Sequence, residues 1–115
     1  MLIVPFSIAA SGTVSDTPPI PIGYRLVGLE IPAVDSATLT ISLSTDNVTF
    51  RATADSAGTA NGAIGGAANT GNKFVGVPEA LSLLTEGRHV KITMGAAQTS
   101  GAVTIKGLCA RTLGG

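Results

Sequence analysis

The sequence is poor in the residues that carry most protein chemistry. Among 115 residues it has one cysteine, one histidine and no tryptophan. A lone Cys109 excludes an internal disulfide and cannot form a zinc site by itself. A nucleophilic site needs a base that a third group orients, and His89 is the one candidate base of the usual kind. We therefore expect no catalytic residue, no metal site and no cofactor, and we predict that the protein is not an enzyme.

Charge is also scarce. Charged residues make up 12% of the chain, against roughly 25% in an ordinary soluble domain, and seven basic residues balance seven acidic ones. No run of like charge exists, so the basic patch of a nucleic-acid-binding protein is missing. No apolar run approaches the roughly 20 residues of a membrane span. We expect neither nucleic acid nor a membrane as a partner.

Residues 1–10 are apolar, but they contain Pro5 and no preceding basic residue, so we do not expect a signal peptide. A chain of this length builds one hydrophobic core. With few charges available, its surface must be covered by hydroxyl groups, by small residues or by another chain. The last alternative favours an oligomer or a component of a lattice.

Several segments show the patterns of β-strands. Residues 37–44 alternate strictly between apolar and hydroxyl side chains, which is typical of a half-buried strand. Residues 24–31 are apolar on both faces, which indicates a strand covered on both sides. Further strands are predicted over residues 2–9, 48–52, 73–77, 89–94 and 102–111. The residues expected to face the core of the later strands are Val48, Phe50, Ala52, Val90, Ile92, Met94, Val103, Ile105 and Cys109.

The segments between these strands contain residues typical of turns and helix ends. Asp46 and Asn47 predict a turn, because both residues form local hydrogen bonds and tolerate left-handed backbone conformations. Residues 78–87 begin with Pro and end with Gly, and they predict the single short helix, with Leu81 and Leu84 facing the core. These elements together predict an all-β fold, a single antiparallel β-sandwich of jelly-roll type with one short helix.

The N-terminal part differs from the rest. Pro18, Pro19 and Pro21 favour a stiff polyproline conformation and exclude a central strand. We therefore predict an extended N-terminal arm and Pro-rich connector over residues 1–22, followed by the β-sandwich domain over residues 23–113. Such an arm is suited to lie across a neighbouring subunit.

Residues 55–72 consist almost entirely of Gly, Ala, Asn, Thr and Ser, and Ile64 is their only large apolar residue. They predict a long Gly/Ala-rich loop. Ordering such a loop is costly in backbone entropy, so we expect it to pack against another chain. From the arm and this loop we predict an interface that consists of Leu2, Ile3, Val4, Pro5, Phe6, Pro18, Pro19, Ile20, Pro21 and Ile64.

Three segments resemble a group of small bacteriophage virion proteins with a β-sandwich fold. They are residues 26–33 (LVGLEIPA), 39–50 (LTISLSTDNVTF) and 88–92 (RHVKI), within a similarity that covers residues 24–111. These are packing and turn motifs and include no active-site residues. A tryptophan that is common after the Pro-Ala step is absent here, and Asp-Asn replaces the usual Asp-Gly turn.

The resemblance implies a structural protein of the virion. We expect a capsid decoration (cement) protein, a homotrimer on the capsid surface that binds the major capsid protein and bridges neighbouring capsid subunits. The alternative is an adhesion module of the phage tail, collar or fibre that binds a host glycan or receptor through its loops. The scarcity of aromatic residues disfavours the glycan-binding alternative.

Overall fold

The computed structural model describes residues 1–35 and 37–112. This part of the chain is mostly β, with antiparallel sheets and a short helix, as the sequence predicts. Its elements are β1 (Leu2–Ile8), β2 (Tyr24–Ile31), β3 (Ala37–Ser44), β4 (Arg51–Ala52), β5 (Ala63–Asn69), β6 (Lys73–Gly76), α1 (Glu79–Thr85), β7 (His89–Met94) and β8 (Val103–Arg111).

The strands form two antiparallel sheets. The first sheet has the order β1-β8-β2-β6. In the second sheet β3 is central: β7 pairs with it over residues 39–44, while β5 and β4 pair with its first and second halves. β7 pairs with residues of β3 that β5 and β4 also pair with, so β7 occupies one edge of β3. β5 and β4 therefore follow one another along its other edge.

Both sheets contribute alternate side chains to one hydrophobic core. In β7 and in β3 from Leu39 onward the predicted inward residues are fully or almost fully buried, and in β8 the predicted face is confirmed at Ile105 and Cys109. The prediction was wrong for the strand that includes β4, where Val48 and Ala52 are exposed and Phe50 is half-buried. The core residues from the two central stretches are Leu39, Ile41, Leu43, Val90, Ile92 and Met94. The alternation in the sequence therefore identified the core face of β3, β7 and β8.

Strand β2 buries both Leu26 and Leu29, although an odd spacing places residues on opposite faces of a regular strand. The pairing of β2 with β8 shifts between Leu26 and Gly28, which marks a β-bulge. The bulge turns both leucines toward the core. It also explains the apolar pattern of β2, which we interpreted as a strand covered on both faces.

The predicted N-terminal arm is an integral strand. β1 pairs with β8 along its whole length, and Phe6 and Ile8 are buried in the core. Pro5 is compatible with this strand because of its position. The carbonyl of Ser7 accepts a hydrogen bond from the N–H of Asp16, so the backbone groups of Ser7 point away from β8. Pro5 is two residues earlier, and its backbone groups therefore point the same way. Its missing N–H removes no hydrogen bond between β1 and β8.

The Pro-rich connector runs beside β7. The N–H of Ser15 donates to the carbonyl of Ile92, and the N–H of Val90 donates to the carbonyl of Pro18. Ile20 is fully buried, and its carbonyl accepts a bond from Gly87. The prolines therefore lie along one edge of the second sheet, where Pro18 contributes a carbonyl acceptor.

Two predicted elements differ from the structure. Residues 63–69 of the predicted loop form β5, which curves through Gly65 and Gly66, both with positive φ. The predicted strand over residues 48–52 is reduced to Arg51–Ala52, and Val48 is exposed in the preceding turn. Glycine and alanine carry little strand propensity, so the pairing of β5 comes from its neighbour β3 rather than from its own side chains.

Helix α1 covers the edge of β2 that β6 leaves open. β6 pairs with the second half of β2, and α1 follows and packs against the first half, where Leu26 donates its N–H to Thr85. Leu81 is fully buried, as predicted. The prediction for Leu84 was wrong: its side chain is 41% exposed, because Thr85 occupies the inward position next to it.

Candidate interaction surface

The structure places four of the predicted interface residues inside the protein's own core. Val4, Phe6, Ile20 and Ile64 are each less than a tenth exposed. Their side chains are used for folding and are not available to a second chain. We therefore remove these four residues from the predicted interface.

The other predicted residues are spread over two regions. Leu2 is half-buried against the core, while Ile3 and Pro5 point outward from β1. The proline residues of the connector lie elsewhere, along the β7 edge, where Pro18 is half-buried and Pro19 and Pro21 are exposed. The structure thus brings Ile3 and Pro5 together and separates them from the connector.

Ile3 and Pro5 belong to a larger surface, the side of the first sheet that faces away from the core. The strand register aligns its central residues in two rows across all four strands, with the pairs Ser7–Thr104 and Arg25–Ala110 beside them. We call the two central rows the outer face; the first row is Ile3, Leu108, Gly28 and Gly76, and the second row is Pro5, Lys106, Glu30 and Phe74.

The outer face has a large exposed apolar side chain at each end. Phe74 is 71% exposed and Ile3 is 46% exposed, at opposite edges of the sheet. Its two charged residues, Lys106 and Glu30, are directly opposite one another on neighbouring strands and have opposite sign. The outer face therefore presents apolar side chains with little net charge.

A glycine leaves open space at the β6 edge of this face. Gly76 is exposed, and a side chain there would meet no atom within 4 Å, whereas its neighbour Gly28 on β2 is buried beside Leu108. A partner surface can therefore approach the backbone of β6 closely at Gly76, near the exposed ring of Phe74. The sequence did not identify Phe74 as an exposed residue. The spacing of three residues to Val77 could have indicated it, because residues three apart in a strand lie on opposite faces.

The residues that could carry chemistry are engaged in structural roles. Cys109 is buried, and burial raises the pKa of its thiol to about 11, which disfavours the reactive thiolate. The Nδ1 atom of His89 lies 3.1 Å from the carbonyl oxygen of Thr17, which accepts its hydrogen bond. These two side chains are on different sheets, so they form no nucleophile–base pair.

Two carboxylates outside the core accept several hydrogen bonds: the half-buried Asp35 and the exposed Asp46. Asp35 accepts hydrogen bonds from the side chain and N–H of Thr99 and from the side chain of Ser100, and these bonds lower the pKa of Asp35. Asp46 accepts bonds from the N–H groups of Thr49 and Val48, which lower its pKa to about 2.

Within residues 1–35 and 37–112, no three His, Cys, Asp or Glu side chains are grouped closely enough to hold a metal ion. The helix in the same part of the chain is too short to cross a membrane.

Comparison with protein-family models, with curated proteins and with solved structures finds no match to the chain. The function of the outer face therefore has to be inferred from this chain alone.

Proposed function

We propose that the two sheets form a β-sandwich of jelly-roll type and that the protein is a bacteriophage capsid decoration protein. In this proposal it binds the outer surface of the capsid and stabilises contacts between major capsid subunits. The resemblance of residues 26–33 and 39–50 to small virion proteins supports the class of function. The outer face supports the mode of action, and it is the observation on which the proposal depends.

The outer face suits a contact with a large protein surface. Its exposed apolar groups, above all Ile3 and Phe74, contribute about 25 cal/mol for each Å² of apolar surface that a partner covers. A stable contact between two proteins buries on the order of 800 Å² on each side. A sheet face four strands wide is of a suitable size, and its low charge avoids the cost of burying unpaired ions.

Symmetry would multiply a modest affinity. A trimer on the capsid engages several identical sites at once, and the effective concentration of the second and third sites exceeds that of a free monomer. We propose a homotrimer because a charge-poor protein that makes a modest contact gains affinity when symmetry repeats that contact. The major capsid protein is the proposed partner.

A reconstitution experiment tests the proposal. Capsids that lack this protein are incubated with purified wild type or with the Phe74→Asp variant, and bound copies are counted by quantitative mass spectrometry. We expect wild type to bind in many copies per capsid and Phe74→Asp to lose most of this binding, because a buried unpaired carboxylate opposes docking. About a dozen or fewer wild-type copies would contradict decoration and indicate a portal or tail location.

Val48→Asp is the matched control. Val48 is 81% exposed in the turn before β4, outside the outer face, so the same change there should leave binding intact. Equal losses from both variants would contradict the role of the outer face. Thermal unfolding of each variant shows whether a loss of binding reflects a loss of folding.

A further inference from the structure

A second surface feature lies at the other sheet, between the β3–β4 hairpin and the end of helix α1. It is an open cavity of about 280 Å³. Its lining consists of Leu43, Ser44, Thr45, Thr49, Arg51, Ala52, Thr53, Ala54, Leu84 and Arg88. The lining thus combines two arginines, four hydroxyl residues and an aliphatic floor, and it includes no acidic side chain.

The fold places both arginines at the cavity. Arg51 is opposite Leu43 in the hairpin, so the two side chains lie on the same face of the sheet, and the Arg51 side chain is exposed. On the other side of the cavity, Arg88 donates from Nη1 to the carbonyls of Leu84 at 3.0 Å and Glu86 at 3.4 Å. These bonds orient the guanidinium group and use one of its nitrogens, while a guanidinium group carries five N–H donors on three nitrogens.

The nearest carboxylates are bound to other groups. Glu86 accepts a hydrogen bond from the N–H of Gly23 and one from the hydroxyl of Thr112. Asp55 binds the N–H groups of its own turn, and Asp46 binds those of the turn before β4. The hydrogen bonds recorded for these carboxylates therefore go to backbone N–H and hydroxyl groups and not to Arg51 or Arg88.

We propose that this cavity binds a small oxyanion ligand: a carboxylate or phosphate group carried on a body of about the size of a monosaccharide. Arginine is the side chain best suited to planar or tetrahedral oxyanions, because its N–H donors form paired, charge-assisted bonds. The hydroxyl groups of Thr45 and Thr49 supply polar contacts beside the charge, and Leu43 and Leu84 supply an apolar floor. This site is separate from the outer face and does not depend on the proposed capsid role.

Titration followed by NMR tests the proposal on the whole protein. The probes are glucuronate, glucose 6-phosphate and, as the neutral control, glucose. We expect saturable shifts of backbone amides in residues 43–54 and 84–88 with one or both charged probes and none with glucose. Tighter binding of glucuronate identifies a carboxylate site, and tighter binding of glucose 6-phosphate identifies a phosphate site.

The decisive variant is Arg51→Gln, because Arg51 is exposed and its replacement leaves the core unchanged. We expect it to weaken binding about tenfold or more. Arg88→Gln should weaken binding as well, while Lys106→Gln, which removes a positive charge on the outer face, should not. The proposal is wrong if neither charged probe gives saturable shifts, or if Lys106→Gln weakens binding as much as Arg51→Gln.

Discussion

The backbone N–H of Leu26 donates a hydrogen bond to the side-chain oxygen of Thr85 at 2.9 Å, across 59 residues of sequence. The same hydroxyl group donates to the carbonyl of Ser82 at 2.7 Å. Thr85 is fully buried, so it replaces a strand neighbour for the part of β2 that β6 does not reach. This single side chain links the helix to the first sheet.

Thr85→Val should therefore destabilise the protein although it preserves shape. The substitution removes the acceptor of a buried N–H group, and we expect a loss of about 1–3 kcal/mol in the free energy of unfolding. Urea denaturation measures it. Thr104→Val, at an exposed position of β8, is the control and should change stability little; equal effects of the two variants would show that the link to Leu26 is unimportant.

Gly107 in β8 is required by the packing of β1 and β2 against it. A Cβ atom there would lie 2.6 Å from Cε2 of Phe6 and 2.9 Å from the carbonyl oxygen of Val4. Gly107→Ala should cost about 1–3 kcal/mol, as overpacking of a core does. Gly76→Ala, in the same sheet with open space around it, should stay within about 0.5 kcal/mol of wild type. Thermal unfolding distinguishes the two, and a neutral Gly107→Ala would contradict the close contact.

The sequence predicted the strands whose pattern is regular. The bounds of β3 and β7 agree with the prediction, because residues such as Ile41 and Ile92 alternate with polar neighbours and the turns between strands have typical residues. The helix was predicted from its Pro and Gly boundaries alone. One face of each regular element was therefore visible before any tertiary contact was known.

The parts that the sequence did not reveal depend on tertiary pairing. Residues 2–9 were predicted as a strand within an arm, because Pro18, Pro19 and Pro21 follow them, and only the pairing of β1 with β8 shows that this strand belongs to the first sheet. β5 has almost no side chains to signal a strand and is specified by β3. The outer face is formed by residues from four strands, so the exposed position of Phe74 follows from the register and not from any local motif.

Stability should decrease in acid through Asp46. Its pKa is lowered from 3.8 to about 2 in the folded protein by hydrogen bonds from the N–H groups of Thr49 and Val48. A carboxyl group with a lowered pKa stabilises the fold above its unfolded pKa and loses this effect as the pH falls through the folded pKa. We expect wild type to exceed Asp46→Asn in melting temperature above about pH 4, with the difference vanishing toward pH 2.

Melting curves of the two proteins at successive pH values measure this dependence. A constant difference in melting temperature across the range would contradict a role of the Asp46 charge. Asp46→Asn is the appropriate comparison, because an amide oxygen can still accept a hydrogen bond in the turn while it carries no titrating proton.

The two phenylalanines of the first sheet should separate folding from binding. Phe6 is fully buried on β1, whereas Phe74 is 71% exposed on β6. Phe6→Ala should lower the free energy of unfolding by about 3–5 kcal/mol, because it removes a large side chain from the core and leaves a cavity. Phe74→Ala should change the free energy of unfolding by no more than about 0.5 kcal/mol, because folding buries little of the Phe74 ring.

Denaturation and capsid binding measured on the same two variants give opposite expectations. Phe74→Ala should fold as wild type does and bind capsids less tightly, because the partner loses the largest apolar group on the outer face. Phe6→Ala should bind in proportion to its folded fraction, since Phe6 lies out of a partner's reach. If Phe6→Ala were fully stable but did not bind, residues 1–22 would act as a docking arm after all, and β1 would have to leave β8 when the protein meets its partner.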